Sequence, residues 1–327
     1  MYMNRIIPGL YISSIMAQHD QANVYAKGIR AVLRLDQFKG QRWSDDFNIL
    51  HLPLESNTSL NGDDISACTE FIAKNLQAGD PVPVLIQSQR GIARAASIAL
   101  AYLIEYEDMA LPQAFVRLMM RYPDAHPYTD QIVSLVKHYD LGYAEDVVRS
   151  PGFFHRLVGE AQMSLNHIHD GVFIGSVLAL NQVPRVQALG IESVLRLDRI
   201  SRANGQWGDE FHLMDLPLPD GVPMGSAMID SGVTFLREQT NMGRKVLVHC
   251  QMGVSRASSF VIAHLMENVG MSLPQAFQLV QAGRPIILPN PQLVQSLVRH
   301  YDLPYDVNAA CKPTFLEDLL IAESRAV

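Results

Sequence analysis

The feature that most constrains this 327-residue chain is that it is written twice. Ile7-Pro8-Gly9-Leu10-Tyr11-Ile12-Ser13-Ser14 returns as Ile168-His169-Asp170-Gly171-Val172-Phe173-Ile174-Gly175-Ser176, with Gly9 and Gly171 separated by 171 − 9 = 162 positions. Lys27 to Asp36 returns at the same offset as Leu189 to Asp198. Trp43 matches Trp207, the only two tryptophans, after a two-residue insertion. Met109 to Phe115 matches Met271 to Phe277, and His138-Tyr139-Asp140-Leu141 matches His300-Tyr301-Asp302-Leu303. A unit of about 160 residues is far longer than the roughly 20–50-residue repeat of a solenoid, so each copy must bury a core of its own. The expected domains are residues 1–160 and 161–327, with the boundary near Glu160 to Asn166.

Within each copy short β-branched runs alternate with helical patterns, which is an α/β signature. In the first copy the expected strands are Leu10–Ile12, Ala31–Leu35, Phe47–Leu52 and Val84–Ile86. A hydrophobic fraction of 48% and a charged fraction of 18% describe a folded chain, not a disordered one. A net charge of −7, spread over both halves, argues against nucleic acid and against an anionic membrane surface as partners. The three cysteines, Cys68, Cys250 and Cys311, are odd in number and far apart, so neither a disulfide framework nor a Cys-x2-Cys metal site is expected. A reducing compartment fits this usage. Residues 1–16 lack the charged and apolar pattern of a signal peptide, and no apolar run approaches about 18 residues, so the cytoplasm is the expected location. His167 and His169 have no partner cluster near them and read as surface residues; no metal or cofactor is expected.

One stretch of the second copy carries chemistry. Val246-Leu247-Val248 reads as a buried strand, and Phe260, Val261, His264 and Leu265 recur at helical spacing. Between them lies His249-Cys250-Gln251-Met252-Gly253-Val254-Ser255-Arg256. A short loop feeding a helix N-terminus turns successive N–H groups inward, and the helix dipole adds to their attraction for an anion. The same field favours thiolate at Cys250, the nucleophilic form. Arg256 can present a planar fork to two phosphate oxygens, and Gly253 lets the loop turn without a Cβ collision.

His249-Cys250-x5-Arg256 resembles the signature of the protein tyrosine phosphatase superfamily, and its wording is most similar to the dual-specificity branch. The resemblance implies a central mixed sheet flanked by helices in each copy, with the loop at the C-terminal end of a central strand. It implies Cys250 as nucleophile, Arg256 as clamp, and residues Gln251, Met252, Gly253, Val254, Ser255 and Arg256 as the phosphate cradle. An attacking thiolate must expel an alkoxide or phenoxide, so a positioned acid is needed. Asp220, on the Pro/Gly-rich loop Leu216 to Pro223 and 250 − 220 = 30 residues before Cys250, resembles the family's mobile acid. Asp215 within a strand and Asp230 within a helix are weaker candidates. By the same resemblance His249 orients the loop and helps keep the thiolate without acting as a base. Ser255 supports the loop, and Asn290 in Ile286 to Pro291 buttresses it, although an Asn-Pro pair also makes an ordinary turn. Ala257 departs from the family's usual Ser or Thr, which predicts slow breakdown of a phosphocysteine intermediate. Ser258 is rotated from that position by about 100° on a helix.

The first copy has lost this chemistry. Aligned on the loop, Gln87 stands for His249 and Ser88 for Cys250, while Gly91 and Arg94 persist and Arg90 adds a cation. Ser56 falls opposite Asp220, with Glu55 one position away. A serine hydroxyl without a general base is a weak nucleophile, so this copy resembles a pseudophosphatase that can still hold phosphate. The leading reading is a cysteine-dependent phosphomonoesterase. Its substrate would be a phosphorylated protein or a small phosphoester, and the two domains are expected to pack on each other. The competing reading is a phospho-dependent binding or scaffolding protein, favoured by Ala257 and Ser88. The absence of Gly-x4-Gly-Lys-Ser/Thr excludes a P-loop nucleotide site. The lack of Lys or Arg between Cys250 and Arg256 argues against phosphoinositides and capped RNA ends.

Overall fold

The computed structural model describes residues 3–37, 42–198 and 207–324. It divides into two units, Met1–Val158 and Gly159–Val327, with the helix Phe153–Met163 carrying the chain from one to the other. The first unit contains β1 (Asn4–Ile7), β2 (Leu10–Ser14), β3 (Ala31–Arg34), β4 (Asn48–His51), α1 (Gly62–Leu76), β5 (Val84–Ser88), α2 (Arg94–Glu105), α3 (Leu111–Arg121) and α4 (Thr129–His138). The second contains β6 (Asn166–His169), β7 (Val172–Ser176), β8 (Ile191–Arg196), β9 (His212–Asp215), α5 (Ser226–Asn241), β10 (Lys245–Cys250), α6 (Arg256–His264), α7 (Leu273–Gly283) and α8 (Pro291–His300).

Each unit is built on a five-stranded mixed sheet, in the order β1-β2-β5-β3-β4 in the first and β6-β7-β10-β8-β9 in the second. Only the β1–β2 and β6–β7 pairs are antiparallel; the other pairs run parallel. This is the expected α/β architecture, helices on a central sheet, in both copies. The outermost strand β1 goes beyond the sequence reading. Asn4-Arg5-Ile6-Ile7 has no clear alternation, and the strand owes its place to the Pro8-Gly9 turn, where Gly9 adopts φ +79° and folds it back on β2.

The middle strands β5 and β10 explain where the functional side chains point. Side chains alternate across a strand. Val84 and Ile86 therefore join the larger core with Leu10, Leu33, Ile98 and Leu118, while Leu85 joins the smaller core with Val32, Trp43 and Phe47. In the second unit Val246, Val248 and Cys250 face the core that holds Phe260 and Phe277, and Leu247 faces Trp207 and Phe211. The same alternation sends Ser88 and Cys250 to the face of the long helices and turns Gln87 and His249 toward the tryptophans. The parallel register seats the ends alike, Ser14 opposite Ser88 and Ser176 opposite Cys250.

Where each middle strand ends, the loop passes over its neighbour at the distance of backbone contact. Gly253 has φ +67°, and a Cβ there would lie 2.3 Å from the Gly175 carbonyl oxygen. Gly91 has φ +78°, and its Cβ would lie 2.8 Å from the Ser13 carbonyl carbon. Backbone cannot yield as a flexible side chain can. Gly91→Ala and Gly253→Ala are each expected to lower the unfolding free energy by about 1–3 kcal/mol in denaturant titrations, and an unchanged midpoint would contradict the close approach.

Candidate active site

Cys250 ends β10 almost fully covered, and the N–H of Gly253 turns back to donate to its Sγ at 3.3 Å. Two turns of sequence later Arg256 opens α6. Its Nη1 donates to the Leu218 carbonyl at 2.9 Å, so the loop that carries the expected acid is tied to the guanidinium by its own backbone. Arg256 Nε is buried without a hydrogen-bond partner among the described residues and lies 3.7 Å from Asp220 Oδ1. The Asp220 side chain is 72% exposed, at the open side of the site. The loop, Arg256 and Asp220 thus meet at one place. The weaker candidates are engaged elsewhere, Asp215 with Arg196 and Asp230 with His300 at 3.3 Å.

The supporting residues hold the loop mainly through backbone. Asn290 N–H donates to Ser255 Oγ at 2.8 Å, and Leu288 N–H donates to the Val254 carbonyl at 3.0 Å. The Asn290 side chain accepts from Gln292 N–H at 2.9 Å and caps α8. The segment is a helix-opening turn, and its main chain donates to the loop. Val254 and Gly253 are buried, Met252 is partly covered and Gln251 is exposed.

Arg284, which sequence reading did not single out, lies fully buried behind the loop. Its Nε donates to the Gly253 carbonyl at 2.7 Å and its Nη2 to the Met252 carbonyl at 3.1 Å. Nη1 donates to Ser164 Oγ at 2.8 Å, and also to Asn166 Oδ1. A donor fork that draws two loop carbonyls backward leaves the peptide N–H groups facing the other way, toward the cradle. Burial pulls the Arg284 pKa down to about 10, opposed by the nearby Cys250, so it stays charged at neutral pH. A single arginine after α7 has no periodicity to betray it. The one available signal was its replacement by Tyr122 (284 − 162 = 122) in the first copy.

His249 is fully buried, and Trp207 Nε1–H donates to its Nε2 at 2.9 Å. The proton of the neutral ring is therefore on Nδ1, which lies 3.3 Å from Asp198 Oδ1. Burial, helped by the charge of Arg196, lowers the His249 pKa to about 3. The ring is neutral and acts as a hydrogen-bond acceptor. Asp198, also buried, has its pKa raised by burial.

The model of the dual specificity phosphatase catalytic domain matches the sequence twice, over residues 10–140 and 172–302. The chain belongs to the dual specificity phosphatase family. It is 31% identical over 139 residues to dual specificity protein phosphatase 1B of Arabidopsis thaliana, covering 42% of this chain and 82% of that protein. It is 30% identical over 120 residues to dual specificity protein phosphatase 2 of Mus musculus, covering 36% of this chain and 37% of the mouse protein, so it spans well under half of that relative. The crystal structure of human tyrosine phosphatase-like serine/threonine/tyrosine-interacting protein aligns with TM-score 0.39 and 28% identity, over 43% of this chain and 97% of that one.

In this tandem dual specificity phosphatase the first loop keeps the shape of the second. Gly91 N–H donates to Ser88 Oγ at 3.2 Å, and His126 N–H donates to the Ile92 carbonyl at 2.6 Å. Arg94 Nη1 donates to the carbonyls of Leu35 at 3.0 Å and Leu54 at 2.7 Å. Trp43 Nε1–H donates to Gln87 Oε1 at 3.2 Å, so glutamine supplies the acceptor that His249 supplies in the second copy. In the second loop Ala257 is buried, and the neighbouring hydroxyls are spent on helix backbone. Ser258 Oγ donates to Val254 O at 2.8 Å, and Ser259 Oγ to Ser255 O at 2.9 Å.

A histidine whose folded pKa is lowered from 6.5 to about 3 stabilises the fold above pH 6.5, and the contribution fades as pH falls from there toward 3. His264, lowered to about 4 by burial, acts in the same direction. Denaturant unfolding followed by tryptophan fluorescence in a Trp43→Phe background, which leaves Trp207 as the reporter, should therefore show stability of the second unit falling by a few kcal/mol between about pH 6.5 and pH 4. His249→Gln should keep the fold at pH 7.5, as Gln87 does in the first copy, and reduce this acid loss. An unaltered pH dependence in the variant would refute the assignment.

Proposed function

We propose that the second copy, residues 161–327, hydrolyses phosphate monoesters of phosphotyrosine or phosphoserine/threonine proteins through Cys250. The observation that carries this reading is the contact at Arg256, which joins the phosphate loop to the Leu218 carbonyl and lies 3.7 Å from Asp220. In the first step the Cys250 thiolate attacks phosphorus while Arg256 and the loop N–H groups take up the charge on the equatorial oxygens. Asp220 gives its proton to the departing oxygen. In the second step Asp220 removes a proton from water, which attacks the phosphocysteine and releases phosphate and thiolate. His249, neutral and held by Trp207, positions the loop and transfers no proton. Arg284 keeps the peptide carbonyls turned away from the incoming anion.

The first copy, residues 1–160, is a non-hydrolysing regulatory or phosphate-binding module in this reading, because among the described residues the Ser88 hydroxyl is hydrogen-bonded to Gly91 N–H and to no base. A second reading, phospho-dependent scaffolding with little turnover, is favoured by Ala257, since the adjacent Ser258 hydroxyl is committed to Val254 O. An aryl phosphatase assay separates the two.

Cys250→Ser should abolish turnover and leave phosphate affinity largely intact, with chelators having no effect. Asp220→Asn should slow a substrate with a poor leaving group by about 10²–10⁴-fold and an activated one much less. Equal losses for both substrates would mark Asp220 as structural. Rapid-quench kinetics should show a burst of released phenol followed by slower phosphate release, with the steady rate raised in Ala257→Ser. Absence of the burst and of the gain would exclude phosphocysteine breakdown as the slow step.

A further inference from the structure

The first copy holds a cavity of about 520 Å³ lined by Asp36, Gln37, Glu55, Ser56, Gln89 and Arg94. It lies over the degenerate loop, whose Gly91 N–H and Arg94 retain the placement of their counterparts in the second copy. Two of its lining groups are almost wholly buried and of opposite charge. Arg94, 7% exposed, is fixed by Nη1 to two backbone carbonyls. Asp36, 1% exposed, receives Arg34 Nη2 on Oδ1 at 3.2 Å, while its Oδ2 has no hydrogen-bond partner among the described residues. In the second copy the corresponding Asp198 lies 3.3 Å from the His249 ring nitrogen Nδ1, although neither its Oδ1 nor that nitrogen makes a hydrogen bond among the described residues; the first copy has Gln87 in place of that histidine.

A buried carboxylate oxygen without a donor is costly, and beside an anion cradle it would repel a fully ionised phosphate. A phosphate that still carries one proton satisfies both groups at once. Its anionic oxygens take the loop N–H groups and Arg94, and its P–OH donates to Asp36 Oδ2. We propose that the first copy is a binding site for a protonated phosphate group, read by Asp36 and Arg94 and held without hydrolysis. This rests on the reading of the first copy as a phosphate-binding module and adds the protonation state that it selects. No bond is made or broken, and the proton stays on the phosphate.

Among the described residues, the charged and titratable groups around Asp36 are Arg34 on β3, His51 on β4, whose Nε2 meets the Asp36 carbonyl at 2.8 Å, Glu55 after β4, and Arg94 at the start of α2 with Tyr128 beside it. None supplies a donor to Oδ2. A phosphomonoester loses its last proton near pH 6, so the site should release it as pH rises past that point. Inorganic phosphate keeps a P–OH at neutral pH, and sulfate has none.

The test is calorimetric titration of the full chain carrying Arg256→Ala, which removes the clamp of the second loop; Arg256→Lys serves as an alternative background. At pH 7 inorganic phosphate should bind at one site, and sulfate about tenfold or more weakly, the cost of setting an acceptor against a buried acceptor. Asp36→Asn, whose amide can donate, should bring the two anions to near equality, and Arg94→Met should abolish both. Phosphotyrosyl and phosphoseryl peptides, run alongside to tell a protein-borne phosphate from a free one, should lose about tenfold in affinity per pH unit above about 6, and Asp36→Asn should flatten that slope. Equal binding of phosphate and sulfate in the chain with Asp36 intact overturns the role of Asp36 and leaves phosphate binding standing. Binding of neither anion overturns the phosphate-module reading itself. The comparison of anions with Asp36 intact decides even where Asp36→Asn fails to fold.

Discussion

Both copies depend on one hydrogen bond, from the N–H of a left-handed glycine back to the side chain that ends the middle strand. Gly253 to Cys250 and Gly91 to Ser88 close at nearly the same length, 3.3 and 3.2 Å. The bond forms because the glycine can pass within backbone contact of the neighbouring strand, at Gly175 in one copy and Ser13 in the other. From the closed turn the chain runs into the helix that opens at Arg94 in one copy and Arg256 in the other. The cradle is thus a property of the strand end and of the close approach, and it survives the exchange of sulfur for oxygen.

The two copies share the contacts that hold the loop and differ in several side chains around it. Trp43 and Trp207 need an acceptor beneath the strand end, and Gln87 and His249 supply one equally well. Arg94 and Arg256 are both anchored on carbonyls of neighbouring loops. Other exchanges change the side chains at and around the loop. Ser88 replaces the thiol, Ser56 replaces the exposed aspartate, and Tyr122 stands where Arg284 holds the loop carbonyls. The first copy thus differs at these positions while retaining the glycine turn, the arginine anchor and the tryptophan contact of the loop.

Much of this was legible in advance because it is local or periodic. The duplication followed from residue-by-residue correspondence, the strands from β-branched runs, and the loop from Cys250, Gly253 and Arg256 at fixed spacing. Asp220 was preferred to Asp215 and Asp230 because it sits on a Pro/Gly-rich loop; in the structure Asp215 lies against Arg196, Asp230 against His300 and Asp220 against Arg256. The short strand β1 was missed because its identity comes from a partner strand and a turn. Arg284 was missed because its contacts reach back to Ser164 and Asn166, about 120 residues earlier in sequence.

What the sequence determined by itself was the repeat, the α/β class of each unit and the residue types at each loop, since these rest on spacing and on side-chain chemistry that a linear string preserves. The tertiary structure alone decided which groups are buried together. It set Trp207 on His249 and thereby the neutral state of that ring, placed Arg284 behind the loop carbonyls, and left one oxygen of Asp36 without a donor beside Arg94. Desolvation and hydrogen-bond satisfaction depend on distances between residues remote in the chain, and those distances exist only after the sheet has folded.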